Sequence, residues 1–154
     1  MIPLHFPEFK IRTRLKENGE EEIFDIIRKK HVALTPEEWV RQHVVHYLIE
    51  KKNVPSSLIG VEKGILINNK PKRFDVVVFS KQGNPLLLVE CKSPDVKITQ
   101  SVFDQAARYN LILNATYFFI TNGLQHYQCK IDYMQKKYNF MEDLPTFFQM
   151  NEEF

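Results

Sequence analysis

The alternation of hydrophobic and polar side chains predicts a β-hairpin near the start of the chain. From Phe9 to Leu15, apolar side chains and a threonine alternate with lysine and arginine, which is typical of a half-buried strand. The segment Glu17-Asn18-Gly19-Glu20 follows, and Asn-Gly is a strong hairpin-turn signal. A second apolar stretch runs from Ile23 to Ile27. We therefore expect residues 1–34 to form an N-terminal β-ribbon.

The next segment carries the signals of a helix start and a helix end. Thr35 is a good N-cap and Pro36 suits the first helical position. The helix is expected to run to Lys51 or Lys52, where Asn53-Val54-Pro55 ends it. Its predicted inward stripe consists of Val40, Val44, Tyr47 and Leu48.

Strand-like segments follow and enclose a second helix. The strands are predicted at 58–61, 65–67, 74–79, 86–90, 117–120 and 124–131, and the helix at 99–113. Leu86–Val89 is apolar on both faces, which indicates a central strand covered on both sides. The tail at 143–150 is expected to be a short helix or irregular. The predicted fold class is α/β of mixed α+β character, a central mixed sheet flanked by helices.

Length and composition bound the alternatives. The chain has 154 residues, of which 44% are hydrophobic and 26% charged, and this favours one folded domain over a disordered segment. We expect a single domain over 1–154, with a core at 35–131 and a C-terminal extension at 132–154. No secretory signal or membrane span is visible, and two cysteines suit a reducing cytoplasm. The net charge of +2 permits nucleic-acid binding without requiring it.

Two acids and a lysine interrupt the most apolar strands of the prediction. If the hairpin turn is centred on Gln82-Gly83, opposed residues have numbers adding to 165, and Asp75 lies opposite Glu90. Lys92 is two residues beyond Glu90 and so shares its face. A slip of one residue would break this alignment, and Pro85 near the turn leaves the register open.

Opposed carboxylates repel each other, and a hard divalent cation removes the conflict. Mg²⁺ binds oxygen ligands, often one or two carboxylates, and it can polarise a phosphoryl oxygen and acidify a bound water. Asp75, Glu90 and Lys92 therefore supply the groups needed for metal-assisted phosphodiester hydrolysis. The alternative is a surface salt bridge at the end of a strand.

The second helix has a polar residue on the face that its periodicity predicts to be inward. That face consists of Ile98, Val102, Gln105, Tyr109 and Ile112. Gln105 and Tyr109 are one turn apart and are predicted to reach the metal or the scissile phosphate. The alternative is that Gln105 is a hydrogen-bonded polar residue of the core.

Charged residues around these elements are weaker candidates. Glu37 is predicted to lie beside the inward stripe of the first helix and to add a carboxylate to the site, whereas Glu38 points away. The alternative for Glu37 is a first-turn acid favoured by the helix dipole. Lys70, Lys72 and Arg73 precede Asp75 and either contact phosphate or form a solvated strand end.

These residues resemble the PD-(D/E)XK nuclease superfamily, and more closely the N-terminal nuclease domain of type I restriction enzyme R subunits. The matching stretches are Thr35–Gln42, Lys72–Phe79, Leu88–Pro94, Phe103–Asn110 and Ile120–Gly123. The resemblance covers most of residues 35–123, and its specificity lies in the order and spacing of the stretches. One departure is Phe74, which stands where the superfamily motif has proline.

The resemblance implies a metal-dependent endodeoxyribonuclease with a restriction-endonuclease-like core. Asp75 and Glu90 would bind Mg²⁺ or Mn²⁺, together with the backbone carbonyl of Cys91. Lys92 would be the catalytic lysine, and Gln105 and Tyr109 would match the Gln-x-x-x-Tyr motif. The first-helix acid of the family corresponds to Glu37 or Glu38, and the resemblance leaves this choice open.

The resemblance also implies DNA as the partner and cytoplasmic restriction-modification as the context. The sequence has no Gly-x-x-x-x-Gly-Lys-Ser/Thr loop, so we expect any ATP-driven translocase to be a separate partner and the chain to be a stand-alone domain or a fragment. Restriction-modification subunits are further expected partners, no membrane is, and a homodimer is compatible with the sequence. The alternative function is a catalytically silent nuclease-fold module that binds DNA or protein.

Overall fold

The N-terminal region folds as a small antiparallel sheet in the computed structural model, which describes residues 1–152. Its strands are β1 (Thr13–Leu15), β2 (Glu21–Asp25) and β3 (Lys30–Ala33). The predicted hairpin is confirmed, although its strands are shorter than expected. Strand β3 was not predicted, because four residues are too few for alternation to give a signal. Residues 153 and 154, the end of the predicted C-terminal extension, lie outside the described part.

Helix α1 (Pro36–Lys52) has the predicted boundaries. The Oγ1 of Thr35 accepts a hydrogen bond from the backbone N–H of Glu38 at 3.0 Å, which is the expected N-cap. At the other end, Asn53 adopts the left-handed conformation with φ of 57°, which terminates the helix. This geometry sets where the helix begins and ends.

The main sheet has six strands in the order in which they occur along the chain. Its elements are β4 (Ile59–Ile67), β5 (Lys70–Phe79), β6 (Pro85–Cys91), α2 (Gln100–Asn110), β7 (Tyr117–Thr121), β8 (His126–Asp132), β9 (Lys137–Met141) and α3 (Phe147–Glu152). Strands β6 and β7 are parallel and joined by a crossover through α2, whereas the other neighbouring strands of this sheet are antiparallel. The mixed α/β sheet was predicted, but β9 was not.

The helices cover both faces of this sheet. Helices α1 and α3 pack with one set of strand residues, and α2 packs with the other. Leu86–Val89 of β6 is fully buried between the two layers, so the predicted central strand is confirmed. Among residues 1–152, no helix combines the length and the apolar character that a membrane span requires.

The pairing of β5 with β6 follows the predicted register. Val76 lies opposite Val89, and the next two pairs continue the same alignment. A bulge between Val78 and Phe79 then shifts the pairing, so that Phe79 lies opposite Pro85. The irregularity is therefore confined to the turn end of the hairpin and leaves the end that carries the acids in register.

Strands β4 and β5 continue together past the end of β6. Their pairing extends to Ile67 opposite Lys70, whereas the pairing of β5 with β6 begins at Val76. Two predicted short strands are thus one strand, β4, which has a single left-handed residue, Glu62, with φ of 53°. Residues 63–74 form a two-stranded ribbon, and we call the place where β5 and β6 part the fork.

Candidate active site

The two acids predicted to bind a metal lie at the fork. Asp75 is the residue before the first β5–β6 pair, and its Oδ2 accepts a hydrogen bond from the backbone N–H of Cys91 at 2.8 Å. This bond fixes the Asp75 carboxylate against the end of β6, next to Glu90. One open cleft is lined by Asp75, Glu90, Lys92, Gln105, Tyr109 and Arg73. The structure thus brings together all five side chains predicted to be catalytic.

Both carboxylate oxygens of Glu90 have a partner. Lys92 Nζ lies 3.3 Å from Oε2, and Asn110 Nδ2 donates to Oε1 at 3.1 Å. The backbone N–H of Lys92 donates to the carbonyl of Thr121 at 2.8 Å, so β7 holds the lysine backbone. Asn110 was missed by sequence reasoning. A signal was present, because it is a polar residue that directly follows the last residue of the Gln-x-x-x-Tyr motif.

A buried arginine that the sequence did not single out contacts four acids. The side chain of Arg41 is 6% exposed, and its guanidinium forms ion pairs with Glu37, Glu38, Glu62 and Asp75 at 2.8–3.4 Å. Burial opposes the charge of Arg41, but the neighbouring carboxylates, Glu38 foremost, raise its pKa overall. Arg41 therefore supplies the positive charge that allows these acids to lie close together.

Glu62 is a third acid on the row that crosses the fork. It lies between Val61, which is opposite Val76, and Lys63, which is opposite Phe74, so it stands across from Asp75 on β4. Its Oε1 is 2.8 Å from Arg41, and its side chain is 26% exposed. Sequence reasoning missed it because the predicted strands stopped on either side of it.

The orientation predicted for the first turn of α1 was wrong. Glu38 is buried and binds Arg41 and Gln42, whereas Glu37 is exposed. The cause is that the buried face of α1 is wider than the predicted stripe and includes Arg41 and Gln42, which lie three and four residues after Glu38. Arg28 also contacts Glu38. Glu37 reaches Arg41 at 3.2 Å and is not among the residues that line the cleft. Its role as a metal ligand stays a prediction.

The predicted inward face of α2 was also wrong. The buried residues of α2 are Phe103, Ala106, Ala107 and Asn110, because the two alanines let the helix approach the sheet closely. Gln105 is exposed at the rim of the cleft and is not a core residue. The hydroxyl of Tyr109 lies 3.1 Å from both the backbone N and the backbone O of Arg73.

The carboxyl group of Asp75 is electrostatically strained. Burial and then the charge of Glu90 raise its pKa to about 7, against the hydrogen bond from Cys91 and the charge of Arg41. A divalent cation between the two carboxylates would relieve this repulsion. Two carboxylates are a typical protein contribution to a Mg²⁺ site that also binds phosphate, so the donor set fits this ion.

In the described part of the chain, the other His and Cys side chains near these elements do not join Asp75 and Glu90 in a metal site. Within residues 1–152, no group of three or more His, Cys, Asp or Glu side chains is placed to hold a metal ion. The thiol of Cys91 is buried and its pKa is raised by that burial, so only its backbone carbonyl is a candidate. His43 and His46 face Trp39 and Glu50 along α1.

We expect Asp75→Asn to stabilise the metal-free protein. The folded pKa of Asp75 lies above its ordinary value of 3.8, so its contribution to stability is complete below that value and is lost as the pH rises through about 7. At pH 8 the variant should gain about 1–3 kcal/mol in the free energy of unfolding, and the gain should shrink toward pH 5. Urea unfolding in EDTA at both pH values measures the gain.

Asp132→Asn is the matched control, because Asp132 lies at the far end of β8 and its Oδ1 accepts a local turn hydrogen bond from the N–H of Gln135. A loss of stability in Asp75→Asn at pH 8 would contradict the electrostatic strain.

The fold and the cleft together define a class. A mixed sheet between helices, with two acids and a lysine at the parting of two central strands, is compatible with the restriction-endonuclease-like core. Residues 36–145 match the model of the family described as type I restriction enzyme R protein N terminus. The chain therefore belongs to the type I restriction enzyme R protein N-terminal family. A search of curated proteins found no match.

A solved structure supports the fold independently of the family match. It is a fragment of a protein assigned as the HsdR subunit of a type I restriction enzyme from Vibrio vulnificus YJ016. The two chains superpose with a TM-score of 0.55 at 20% identity, over 77% of this chain. The match spans 25% of the Vibrio chain, so it covers about a quarter of that fragment. At this identity the likeness supports the fold alone.

Proposed function

We propose that the chain is a metal-dependent nuclease domain that hydrolyses phosphodiester bonds in DNA. The observation that carries the proposal is the meeting of Asp75, Glu90 and Lys92 in one cleft that is open to solvent. Membership of the R protein N-terminal family supports a nuclease-related role within restriction-modification. Association with other restriction-modification subunits, or with a translocase, is part of the same proposal.

Asp75 and Glu90 would hold Mg²⁺ or Mn²⁺, with the backbone carbonyl of Cys91 as a further ligand. When bound, the ion would polarise a phosphoryl oxygen and lower the pKa of a bound water. Asp75 is held in place by the backbone N–H of Cys91 at 2.8 Å, and Glu90 by Asn110 and Lys92. The chain thus fixes the orientation of both acids before any ion arrives.

Lys92 would act on the nucleophile and on the phosphate. Its Nζ lies 3.3 Å from Glu90 Oε2 and is 31% exposed, so it borders the same cleft and remains accessible. An ammonium group there can orient a water by hydrogen bonding and offset negative charge that grows on the phosphate. Gln105 at the rim offers an amide for the substrate.

The ribbon beyond the fork suits a nucleic-acid backbone. Arg73 lines the cleft with its side chain 73% exposed, and Lys72 lies 5.4 Å over the ring of Tyr109. Lys63 and Lys70 are exposed on the same ribbon. Positive side chains dominate the affinity for phosphates, and a two-stranded ribbon fits the major groove of DNA.

A silent binding module is the second candidate. Both oxygens of Asp75 already have partners, Arg41 at 3.4 Å and the N–H of Cys91 at 2.8 Å. Arg41 therefore offsets part of the negative charge without a cation, as a nuclease fold without turnover would require. Such a module would use the ribbon to bind DNA.

Two measurements separate these functions. Calorimetry with Mn²⁺ should show binding by the wild type, weakened at least tenfold in Glu90→Ala. Relaxation of supercoiled plasmid with Mg²⁺ or Mn²⁺ should be seen for the wild type and lost in Glu90→Ala. Glu20→Ala is the control, because Glu20 is an exposed acid of the N-terminal turn.

Binding of Mn²⁺ with no nicking by any variant would favour the silent module. Absence of binding at millimolar Mn²⁺ would contradict the metal site itself.

A further inference from the structure

The end of α2 touches both strands that carry the acids. Its last two residues are Tyr109 and Asn110, and they lie over the fork, where β5 no longer has β6 as a neighbour. Each makes hydrogen bonds to a different strand. We call these two residues the α2 clamp.

Tyr109 binds the backbone of β5 just before Asp75. Its hydroxyl accepts from the N–H of Arg73 and donates to the carbonyl of Arg73, both at 3.1 Å. A hydroxyl has one donor hydrogen and can accept as well, so both functions are used here. The tyrosine thereby occupies the backbone groups of β5 beyond the end of β6, two residues from Asp75. The ring of Tyr109 also packs against Phe74, with centroids 5.6 Å apart.

Asn110 binds the side chain of Glu90 on β6. Its Nδ2 donates to Glu90 Oε1 at 3.1 Å and to the carbonyl of Ala106 at 2.8 Å. The side chain is almost fully buried, and its Oδ1 has no hydrogen-bond partner among residues 1–152. An unpaired buried oxygen is destabilising. The Asn110 amide is therefore oriented so that its nitrogen binds Glu90, although its oxygen is left without a hydrogen bond.

We infer that the α2 clamp is a pair of positioning residues that sets the separation and orientation of the two acids, Tyr109 through β5 and Asn110 through Glu90. The inference rests on the proposed function and assigns to Tyr109 a role that acts through the strand backbone. It also adds Asn110, which touches the acid predicted to bind the metal. Partners of metal ligands typically change metal affinity by about 10–100-fold when they are removed.

The test compares clamp variants by Mn²⁺ calorimetry. Asn110→Ala should weaken Mn²⁺ binding by about 10–100-fold, and Tyr109→Phe should weaken it by about 3–10-fold. Tyr133→Phe is the matched control, because the Tyr133 hydroxyl also donates to a backbone carbonyl, that of Ala115, away from the fork. Tyr133→Phe should keep its Mn²⁺ affinity within about twofold of the wild type, even if its melting temperature falls as much as that of Tyr109→Phe.

A double-mutant cycle distinguishes positioning from general support of the fold. In a Glu90→Ala background, Asn110→Ala should have no further effect on Mn²⁺ affinity, because its partner is gone. An equal decrement in both backgrounds, or an affinity within twofold of wild type for Asn110→Ala alone, would overturn the inference for Asn110.

Hydrogen exchange tests Tyr109 without any metal. The amide of Arg73 should exchange at least about tenfold faster in Tyr109→Phe, with Val77 in the paired part of β5 unchanged. Unchanged exchange at Arg73 would overturn the inference for Tyr109. If the wild type binds no Mn²⁺, the proposed function fails. The α2 clamp is then tested by this exchange measurement and by the coupling energy between Asn110 and Glu90, measured by urea unfolding of the double-mutant cycle.

Discussion

Lys92→Met is expected to reduce DNA nicking by about 10²–10⁴-fold while Mn²⁺ binding stays as tight as in the wild type or becomes tighter. The ammonium group lies 3.3 Å from Glu90 and neutralises part of its charge. Its removal leaves both acids in place and frees Glu90 Oε2, so the cation site should survive. The loss should fall on kcat, because in the proposed function the lysine would act on the water and on the charge that grows on the phosphate.

Lys97→Met provides the control for this prediction. Lys97 is an exposed lysine five residues further along the chain, so the substitution removes the same charge without touching the cleft. Plasmid nicking and calorimetry on the same preparations separate the two effects. Equal losses of nicking in both variants would mean that the effect is not specific to Lys92. A loss of Mn²⁺ binding in Lys92→Met would place the defect in the metal site and contradict the predicted separation.

Arg41→Met should reduce the free energy of unfolding at pH 7 by about 3–5 kcal/mol. Methionine retains much of the volume of the side chain, so the effect isolates the charge. Four carboxylates lose a partner at 2.8–3.4 Å, and two of them, Glu38 and Asp75, are largely withdrawn from water. Urea unfolding measures the change.

The comparison variant is Arg14→Met. Arg14 pairs with Glu22 at 2.9 Å, but its side chain is 56% exposed, and exposed pairs contribute less than about 1 kcal/mol. Similar small losses in both variants would mean that Arg41 does not compensate the acids. A large loss in Arg41→Met alone would support the charge argument.

The parts of the site that the sequence predicts are those set by local spacing. The β5–β6 hairpin is short, so turn position and apolar alternation were enough to place Asp75 opposite the end of β6 with Glu90 beside it. The alternation also placed Lys92 at the same cleft. The N-cap and the end of α1 are likewise local, and both positions were predicted from residue type, whereas the left-handed conformation of Asn53 was not.

The parts that sequence analysis missed depend on packing between distant segments. Arg41 contacts acids from its own helix, from β4 and from β5, and no pattern within α1 distinguishes it from a solvated i,i+4 partner of Glu37. Helical periodicity predicted that the face of α2 with the largest apolar side chains is buried, whereas the face that packs against the sheet is the one with two alanines. Strand β9 was missed although Lys137–Phe140 alternates polar and apolar side chains, because the segment is short and Asn139 has a low strand propensity.

The left-handed backbone at Glu62 also affects the outer border of the sheet. Within the described residues 1–152, strand β4 has β5 on one side and no further strand on the other, and an exposed row of backbone groups invites pairing with another chain. A kink of this kind interrupts such a row, and Lys63 beside it adds a charge. Glu62, which also pairs with Arg41, thus protects β4 against edge-to-edge aggregation between copies of the protein.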